Sequence, residues 1–232
     1  MSIHSKHPKY LAFVKNELRT LNFISSNASV TNKYKNLSVI SKSTYEKYSN
    51  ARDNVLATHD FEFGAYFDIE IEGTTRRIIV ECVIKSKFDI ATYVLAICKG
   101  TLTRNTVLRK FHFDYALPRN GDRNPKPVYH MQYGGKQSPQ LGALNLSVDH
   151  LNPWFSSPRL TFVPMNLALL IDLIFCEFRS TDTVKIIEDP RWREHIKLNE
   201  EFLLKPYFCT LNGFLNNGHK EKYLIRDYNY GK

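Results

Sequence analysis

Residues 61–73 read FEFGAYFDIEIEG, and apolar and polar side chains alternate along this stretch. Such a period of two predicts a strand with one buried face. Four further strand patterns follow at short intervals: RRIIVECVIK, DIATYVLAICKG, TVLRKFHFDYAL and PVYHMQYGG. Parallel strands would need long crossovers, so the short connections favour an antiparallel meander. The sequence therefore predicts an antiparallel sheet of about five strands between residues 61 and 135.

Helical patterns lie on both sides of these strands. The stretch MNLALLIDLIFCEF, residues 165–178, is apolar on nearly all sides, which predicts a buried central helix capped by Asn166. Residues 8–24 and the segment DPRWREHIKLNEEFLLKPYF show apolar residues at helical spacing, and the Pro-punctuated residues 136–164 predict loops. We predict an α+β fold in one domain, residues 1–232, with the sheet packed on the central helix. Further helices flank it at both ends, and residues 1–60 form a helical N-terminal arm.

Positive charge is concentrated in one part of the chain. The formal net charge is +9, and residues 99–136 carry eight Lys or Arg against two Asp. A positive surface attracts polyanions, which predicts a nucleic-acid partner, either RNA or DNA. The predicted contacts are Arg104, Arg109, Lys110, Arg119, Arg123, Lys126 and Lys136. Three of them lie among Pro and Gly residues, and this pattern indicates a mobile basic loop: Arg119, Arg123 and Lys126.

Cysteine usage and apolar run lengths bear on the cellular setting. The four cysteines, Cys82, Cys98, Cys176 and Cys209, are far apart and form no CxxC pair, so we expect reduced thiols and no structural zinc. The N-terminus lacks the apolar core of a signal peptide. The longest apolar run is about twelve residues, too short to cross a bilayer. We predict a cytoplasmic protein without a membrane partner, a metal site or another cofactor.

The stretch VLRKFHFDY and the later VYHMQYGG contain the candidate catalytic residues. Alternation puts Leu108, Lys110, His112 and Asp114 on one face of the first strand, opposite Val107, Arg109, Phe111, Phe113 and Tyr115. His130 and Gln132 share a face of the second strand. If the two strands pair as a hairpin in a suitable register, the candidate catalytic residues cluster: His112, Asp114, His130 and Gln132. A shift of one residue would separate them.

Such a cluster has more than one interpretation. Two histidines beside a carboxylate can serve as general acid and base for phosphodiester cleavage, with nearby Lys and Arg stabilising the phosphate charge. The same residues can instead form polar cross-strand pairs on a solvated sheet face, or His112, Asp114 and His130 can ligate a metal. Motifs for nucleotide binding or serine hydrolysis are missing from the sequence. Another polar set only loosely resembles the sites of metal-dependent nucleases: Asp68, Glu70, Glu81 and Lys85.

The segments HFDY, PVYHMQYGG and PRLTFVPMNLALLIDLIFCEF, taken together, resemble small proteins of bacterial toxin–antitoxin and antiviral defence loci. The resemblance covers residues 111–178. Members of that group often carry a second histidine two residues after the first, where this chain has Gln132. The resemblance implies a setting in cellular defence rather than a particular reaction.

Three functional hypotheses follow. The first is a nucleic-acid-associating component of a prokaryotic antiviral defence or toxin module, which works in a complex with other protein subunits. The second is a metal-independent ribonuclease toxin that uses His112 and His130. The third is a structural adaptor whose positive charge meets an acidic protein partner. Salt dependence separates the third from the others, because binding to phosphates weakens steeply as salt rises.

Overall fold

The computed structural model describes residues 7–27, 61–85, 90–101, 104–116, 129–134 and 159–216. Within these ranges a sheet and a group of helices are present. The strands are β1 (Phe61–Ile71), β2 (Thr74–Ile84), β3 (Ile90–Thr101), β4 (Arg104–Ala116), β5 (Tyr129–Tyr133) and β6 (Arg159–Thr161). The helices are α1 (His7–Asn27), α2 (Leu167–Glu177), α3 (Thr181–Ile187), α4 (Pro190–Asn199) and α5 (Lys205–Asn216), and a π-helical turn (Glu200–Leu204) joins the last two. The predicted α+β class is confirmed.

The strands form a single sheet in the order in which they occur in the chain, and every neighbouring pair is antiparallel. The five strands predicted between residues 61 and 135 are all present. The sixth, β6, lies in a stretch that the sequence predicted as loop. It spans only three residues, which is too short for a period of two to be recognised.

The turn between β1 and β2 consists of Glu72 and Gly73, whose φ angles are 50° and 69°. Both angles lie in the left-handed region, as a two-residue hairpin turn of the I′ type requires. Thr74 already pairs with Ile71 on the opposite strand. The strand pattern RRIIVECVIK begins at Arg76, so β2 starts two residues earlier than expected.

One face of the sheet packs against α1 and α2 and forms the main core. The core side chains include Phe67, Ile78, Val80, Tyr93 and Phe113 from the sheet, Phe13, Val14 and Leu21 from α1, and Leu170, Ile174 and Phe175 from α2. Phe67 and Phe175 meet edge to face with ring centroids 5.4 Å apart. The central position of α2 is as predicted. Helix α1 is part of the core, whereas residues 28–60 of the predicted arm lie outside the described residues.

The polar groups of α2 have defined partners. The Asn166 side chain accepts a 3.0 Å hydrogen bond from the backbone N–H of Leu169, so the predicted cap is confirmed. Asp172, the charged residue inside the helix, accepts a 2.7 Å hydrogen bond from Nε1 of Trp192 on α4. Asp172 is half-buried, and this bond ties α4 to α2.

Strand β4 contains a β-bulge that the sequence did not predict. Ile97 pairs with Arg109 but Cys98 pairs with Val107, so Leu108 is an extra residue in β4. Beyond a bulge the alternation of faces is inverted. Val107 consequently packs with Cys98 on the face away from the main core, and its predicted place beside Arg109 was wrong. The residues after the bulge keep their predicted faces.

Candidate functional site

The pairing of β4 with β5 decides whether the candidate catalytic residues meet. His112 pairs with Gln132, and Asp114 pairs with His130. Cross-strand partners project from the same face of a sheet, so all four side chains lie on the face away from the main core. We call these four residues the hairpin cluster. The register required by the sequence prediction is the one that the structure contains.

Asp114 and His130 form the closest ionisable pair of the cluster. Nε2 of His130 lies 3.3 Å from Oδ2 of Asp114 and donates a hydrogen bond to it. Burial is the largest influence on the pKa of Asp114 and raises it, but hydrogen bonds from His130 and Thr92 and the charge of both histidines together bring the pKa below its ordinary value. Asp114 is therefore a carboxylate at neutral pH. The side chain of His130 is only 3% exposed, against 20% for Asp114.

His112 occupies a different environment. Burial, then the charge of Lys110, lowers the pKa of His112 to about 4, although Asp114 acts in the opposite direction. The imidazole is consequently neutral at pH 7. Among the described residues, its buried Nε2 atom has no hydrogen-bond partner. A neutral ring with an unengaged nitrogen can accept a proton from, or share one with, a bound molecule.

Lys110 extends the hairpin cluster toward Gly134. Lys110 was predicted from the sequence to contact nucleic acid at the surface, but its side chain is only 2% exposed. Burial lowers the pKa of Lys110 to about 8, partly offset by the attraction of Glu81. Gly134 donates a 2.8 Å backbone hydrogen bond to the Lys110 carbonyl and brings no side chain to this position. Lys110 thus lies inside the site, two residues from His112, and not on an open surface.

The other predicted nucleic-acid contacts are less well defined. Arg109 is exposed, and its guanidinium donates a 2.9 Å hydrogen bond to the carbonyl of Leu108. Arg104 is the first residue of β4. The rest, Arg119, Arg123, Lys126 and Lys136, lie outside the described residues, so the basic loop stays a prediction.

Glu81 lies near the hairpin cluster, although the sequence analysis grouped it with a different set of polar residues. It was grouped with Asp68 as a loose nuclease-like set, yet Asp68 makes a bidentate 2.8 Å interaction with Arg77. Glu81 is instead buried on β2, and its charge acts on Lys110 across β3. Ala96 pairs with Lys110 on β3, and such a small residue leaves room for the two long side chains. An acidic residue on the strand pattern before β3 and a basic residue on the strand pattern after it would have been the signal.

A separate cavity of about 330 Å³ lies among α2, α3 and α4. Its apolar lining includes Trp192 and Ile187. The charged lining residues are Asp172, Arg179, Glu188, Arg193, Lys197 and Glu200. Since acidic and basic residues balance, the cavity favours neither an anion nor a cation.

Comparison with protein-family models, curated proteins and solved structures found no match to this chain. In the described ranges, no helix is long and apolar enough to cross a membrane. The same ranges contain no group of three or more His, Cys, Asp or Glu side chains arranged to hold a metal ion.

Proposed function

We propose that this chain binds nucleic acid through the β4–β5 hairpin, as a cytoplasmic component of a prokaryotic defence or toxin module that acts within a protein complex. Support for the nucleic-acid partner comes from the net charge of +9 and its concentration in residues 99–136. Basic side chains release the counterions of phosphates when they bind them, so a positive surface is a general site for nucleic acid. The defence setting rests on the resemblance of residues 111–178.

The observation that carries the proposal is the place of the hairpin cluster within the basic segment. Exposed Arg109 precedes the cluster on β4, and the connection that follows Ala116 contains three further basic residues. A strand rises about 3.3 Å per residue, so Arg109 and Ala116 are roughly 23 Å apart. Arg109 projects from the face of β4 opposite the hairpin cluster, so the basic residues of the connection, and not Arg109, would bring a polyanion close to the cluster.

The helical end of the molecule supports association with another protein. Leu198, Phe202 and Phe208 lie on α4, the π-helical turn and α5, and each is at least 41% exposed. Large apolar side chains that stay exposed together are typical of protein contact surfaces. This surface is on different elements from the hairpin, so the proposed protein and nucleic-acid contacts do not compete for the same residues.

Electrophoretic mobility shifts with single-stranded RNA and with duplex DNA, each at low and high salt, test the proposal. The wild-type protein should bind, and its affinity should fall steeply as salt rises. The variant Arg119→Ser/Arg123→Ser/Lys126→Ser should bind more weakly and lose part of the salt dependence, because it lacks three phosphate-binding charges.

A matched control separates local charge from total charge. Lys185, Arg193 and Lys197 are exposed residues of α3 and α4, and changing all three to Ser removes the same charge from these helices instead of the hairpin. This control should bind nearly as tightly as the wild type. Equal loss in both variants would overturn the hairpin assignment. Failure of the wild type to bind either nucleic acid at low salt would overturn the proposal and favour an adaptor for an acidic protein.

A further inference from the structure

The two edge strands of the described sheet differ greatly in length. Strand β6 ends the sheet on one side with three residues, whereas β1 ends it on the other side with eleven. Proteins usually protect the unpaired backbone groups of an edge strand by keeping it short, or by a Lys, a Pro or a β-bulge. Strand β1 contains no Lys or Pro, and it pairs with β2 along its whole length without a bulge. Its outer edge is therefore a template for a further strand.

The turn that joins β1 to β2 determines which backbone groups of β1 point outward. A two-residue turn of the I′ type is closed by hydrogen bonds between the residues that flank it, here Ile71 and Thr74. Along an antiparallel pair, residues that bond to the partner strand alternate with residues that do not. Ile69 therefore bonds to β2, whereas Asp68 and Glu70 direct their N–H and C=O groups away from it. No described strand lies on that outer side.

The outer edge of β1 is acidic and open to solvent where its side chains are described. Glu70 is exposed, and the Asp68 side chain is 31% exposed even though it pairs with Arg77. Residues 61–72 carry four Asp or Glu and no Lys, Arg or His, in a chain whose net charge is +9. Opposite charges on adjacent strands attract each other. The edge therefore suits an incoming strand that has Lys or Arg at alternate positions.

The same charges disfavour a second copy of this chain at the edge. In the antiparallel register that pairs two copies of β1 along their whole length, Phe61 of one copy lies opposite Ile71 of the other, and Glu62 lies opposite Glu70. Like charges directly opposite each other on adjacent strands are destabilising. Such a dimer would contain this acidic pair twice, so a basic partner fits the edge better.

We propose that the outer edge of β1 binds an extended, basic segment of a partner protein, which adds to the sheet as a further antiparallel strand. Backbone hydrogen bonds from residues such as Asp68 and Glu70 provide the affinity, and the acidic side chains select Lys or Arg at alternate positions of the partner. The contact is separate from the proposed nucleic-acid site on the β4–β5 hairpin and does not depend on it.

Amide hydrogen exchange, measured for each residue by NMR, tests whether the edge is open. In the free protein the N–H group of Ile69 should exchange slowly because it bonds to β2, while those of Asp68 and Glu70 should exchange fast. A synthetic peptide of alternating Thr and Lys, as long as β1, should bind and slow the exchange at Asp68 and Glu70. Protection of these two groups without the peptide would overturn the inference, because another segment or a second copy would then occupy the edge.

Modified peptides separate strand addition from simple charge attraction. In the proposed complex the Lys residues lie opposite Asp68 and Glu70, with their backbone N–H groups toward β1. N-methylation of the Lys residues should therefore abolish binding in fluorescence anisotropy, whereas N-methylation of the Thr residues, whose N–H groups point away, should leave it nearly unchanged. Equal binding of both methylated peptides, or no binding of the unmodified one, would overturn the inference and leave the proposed function standing.

A charge reversal tests the specificity without altering the backbone. Glu70→Lys should bind the Thr–Lys peptide about threefold or more weakly than the wild type, and it should bind a Thr–Glu peptide more tightly. Glu194→Lys makes the same change at an exposed position of α4 and should keep the wild-type affinity for both peptides. Equal affinities of the two variants would overturn the assignment of the edge.

Discussion

Glu17 and Tyr93 meet at the centre of the protein, where the tyrosine hydroxyl donates a 3.1 Å hydrogen bond to Oε1 of Glu17. The backbone N–H of Leu167, the first residue of α2, donates another 3.1 Å bond to Oε2. One carboxyl group, only 1% exposed, thereby joins α1, β3 and α2. Burial raises the pKa of Glu17 to about 8, although both hydrogen bonds act to lower it. Glu17 is therefore mostly protonated at neutral pH.

The raised pKa makes stability depend on pH through Glu17. In the unfolded chain the group ionises near its ordinary value of 4.5, while in the folded protein it stays protonated up to about 8. Its contribution to stability is fully present below the unfolded pKa and is lost as pH rises through the folded pKa.

Glu17→Gln keeps the size of the side chain and a carbonyl acceptor but does not titrate. Its free energy of unfolding, measured with urea at several pH values between the two pKa values, should fall less steeply with pH than that of the wild type. Glu188→Gln, at an exposed position, should keep the wild-type slope. Parallel curves for Glu17→Gln and the wild type would contradict this prediction.

Asn199 is expected to be the most sensitive residue of the helical layer. Its Oδ1 accepts hydrogen bonds from Asn166, at 2.5 Å, and from Asn16, and its Nδ2 donates a 2.7 Å bond to the carbonyl of His195. Asn199→Ala removes these bonds and leaves the buried Asn166 amide group unsatisfied, which alone costs about 1–3 kcal/mol. Thermal and urea unfolding should show a clear loss of stability, whereas Asn212→Ala, at an exposed position of α5, should be close to neutral.

The pKa of Lys110 should depend on Glu81. Burial holds the Lys110 pKa at about 8, and the Glu81 carboxylate works in the opposite direction. Removing that charge in Glu81→Gln should therefore move the pKa below 8. An NMR titration of the lysine side-chain signals measures the Lys110 midpoint in the wild type and in Glu81→Gln. The Lys110 signal is assigned by its absence from the spectrum of Lys110→Arg. A midpoint that is unchanged in Glu81→Gln would show that the two groups do not interact.

The sequence predicted the sheet well because alternation is a local property of each strand. It also predicted that His112, Asp114, His130 and Gln132 share one face, on condition that the two strands pair in a suitable register, and alternation within each strand does not fix that register. The bulge at Leu108 depends on the partner strand, so no pattern within β4 indicates it. The burial of Lys110 was missed for a related reason: alternation identifies the face of a residue but not whether that face is covered.

The same limit applies to Glu17. Its spacing from Val14 and Leu21 puts it on the apolar side of α1, where it is buried. A charged residue on the apolar stripe of a helix signals a buried polar contact, but its partner Tyr93 is 76 positions away in the chain. Only the fold brings the two together.

The pair of Asp114 and His130 should be coupled energetically whether or not the site is catalytic. A double-mutant cycle of Asp114→Asn, His130→Ala and the double variant isolates their interaction, which for residues in direct contact is about 0.5–3 kcal/mol. The pKa of Asp114 is lowered by folding, so its contribution is present above its ordinary pKa and is lost as pH falls through the folded value. The coupling should therefore be measurable at neutral pH and disappear in acid.

The same variants separate a catalytic role of His130 from a structural one. If His130 only stabilises the fold, the function of the protein in cells should fall in proportion to the loss of melting temperature. A condition that stabilises the fold should then restore that function. If His130 transfers a proton, His130→Ala should remove activity at temperatures at which the variant is still fully folded. Full activity in a folded His130→Ala protein would exclude the catalytic role, because no other residue of the hairpin cluster combines a ring nitrogen with the Asp114 hydrogen bond.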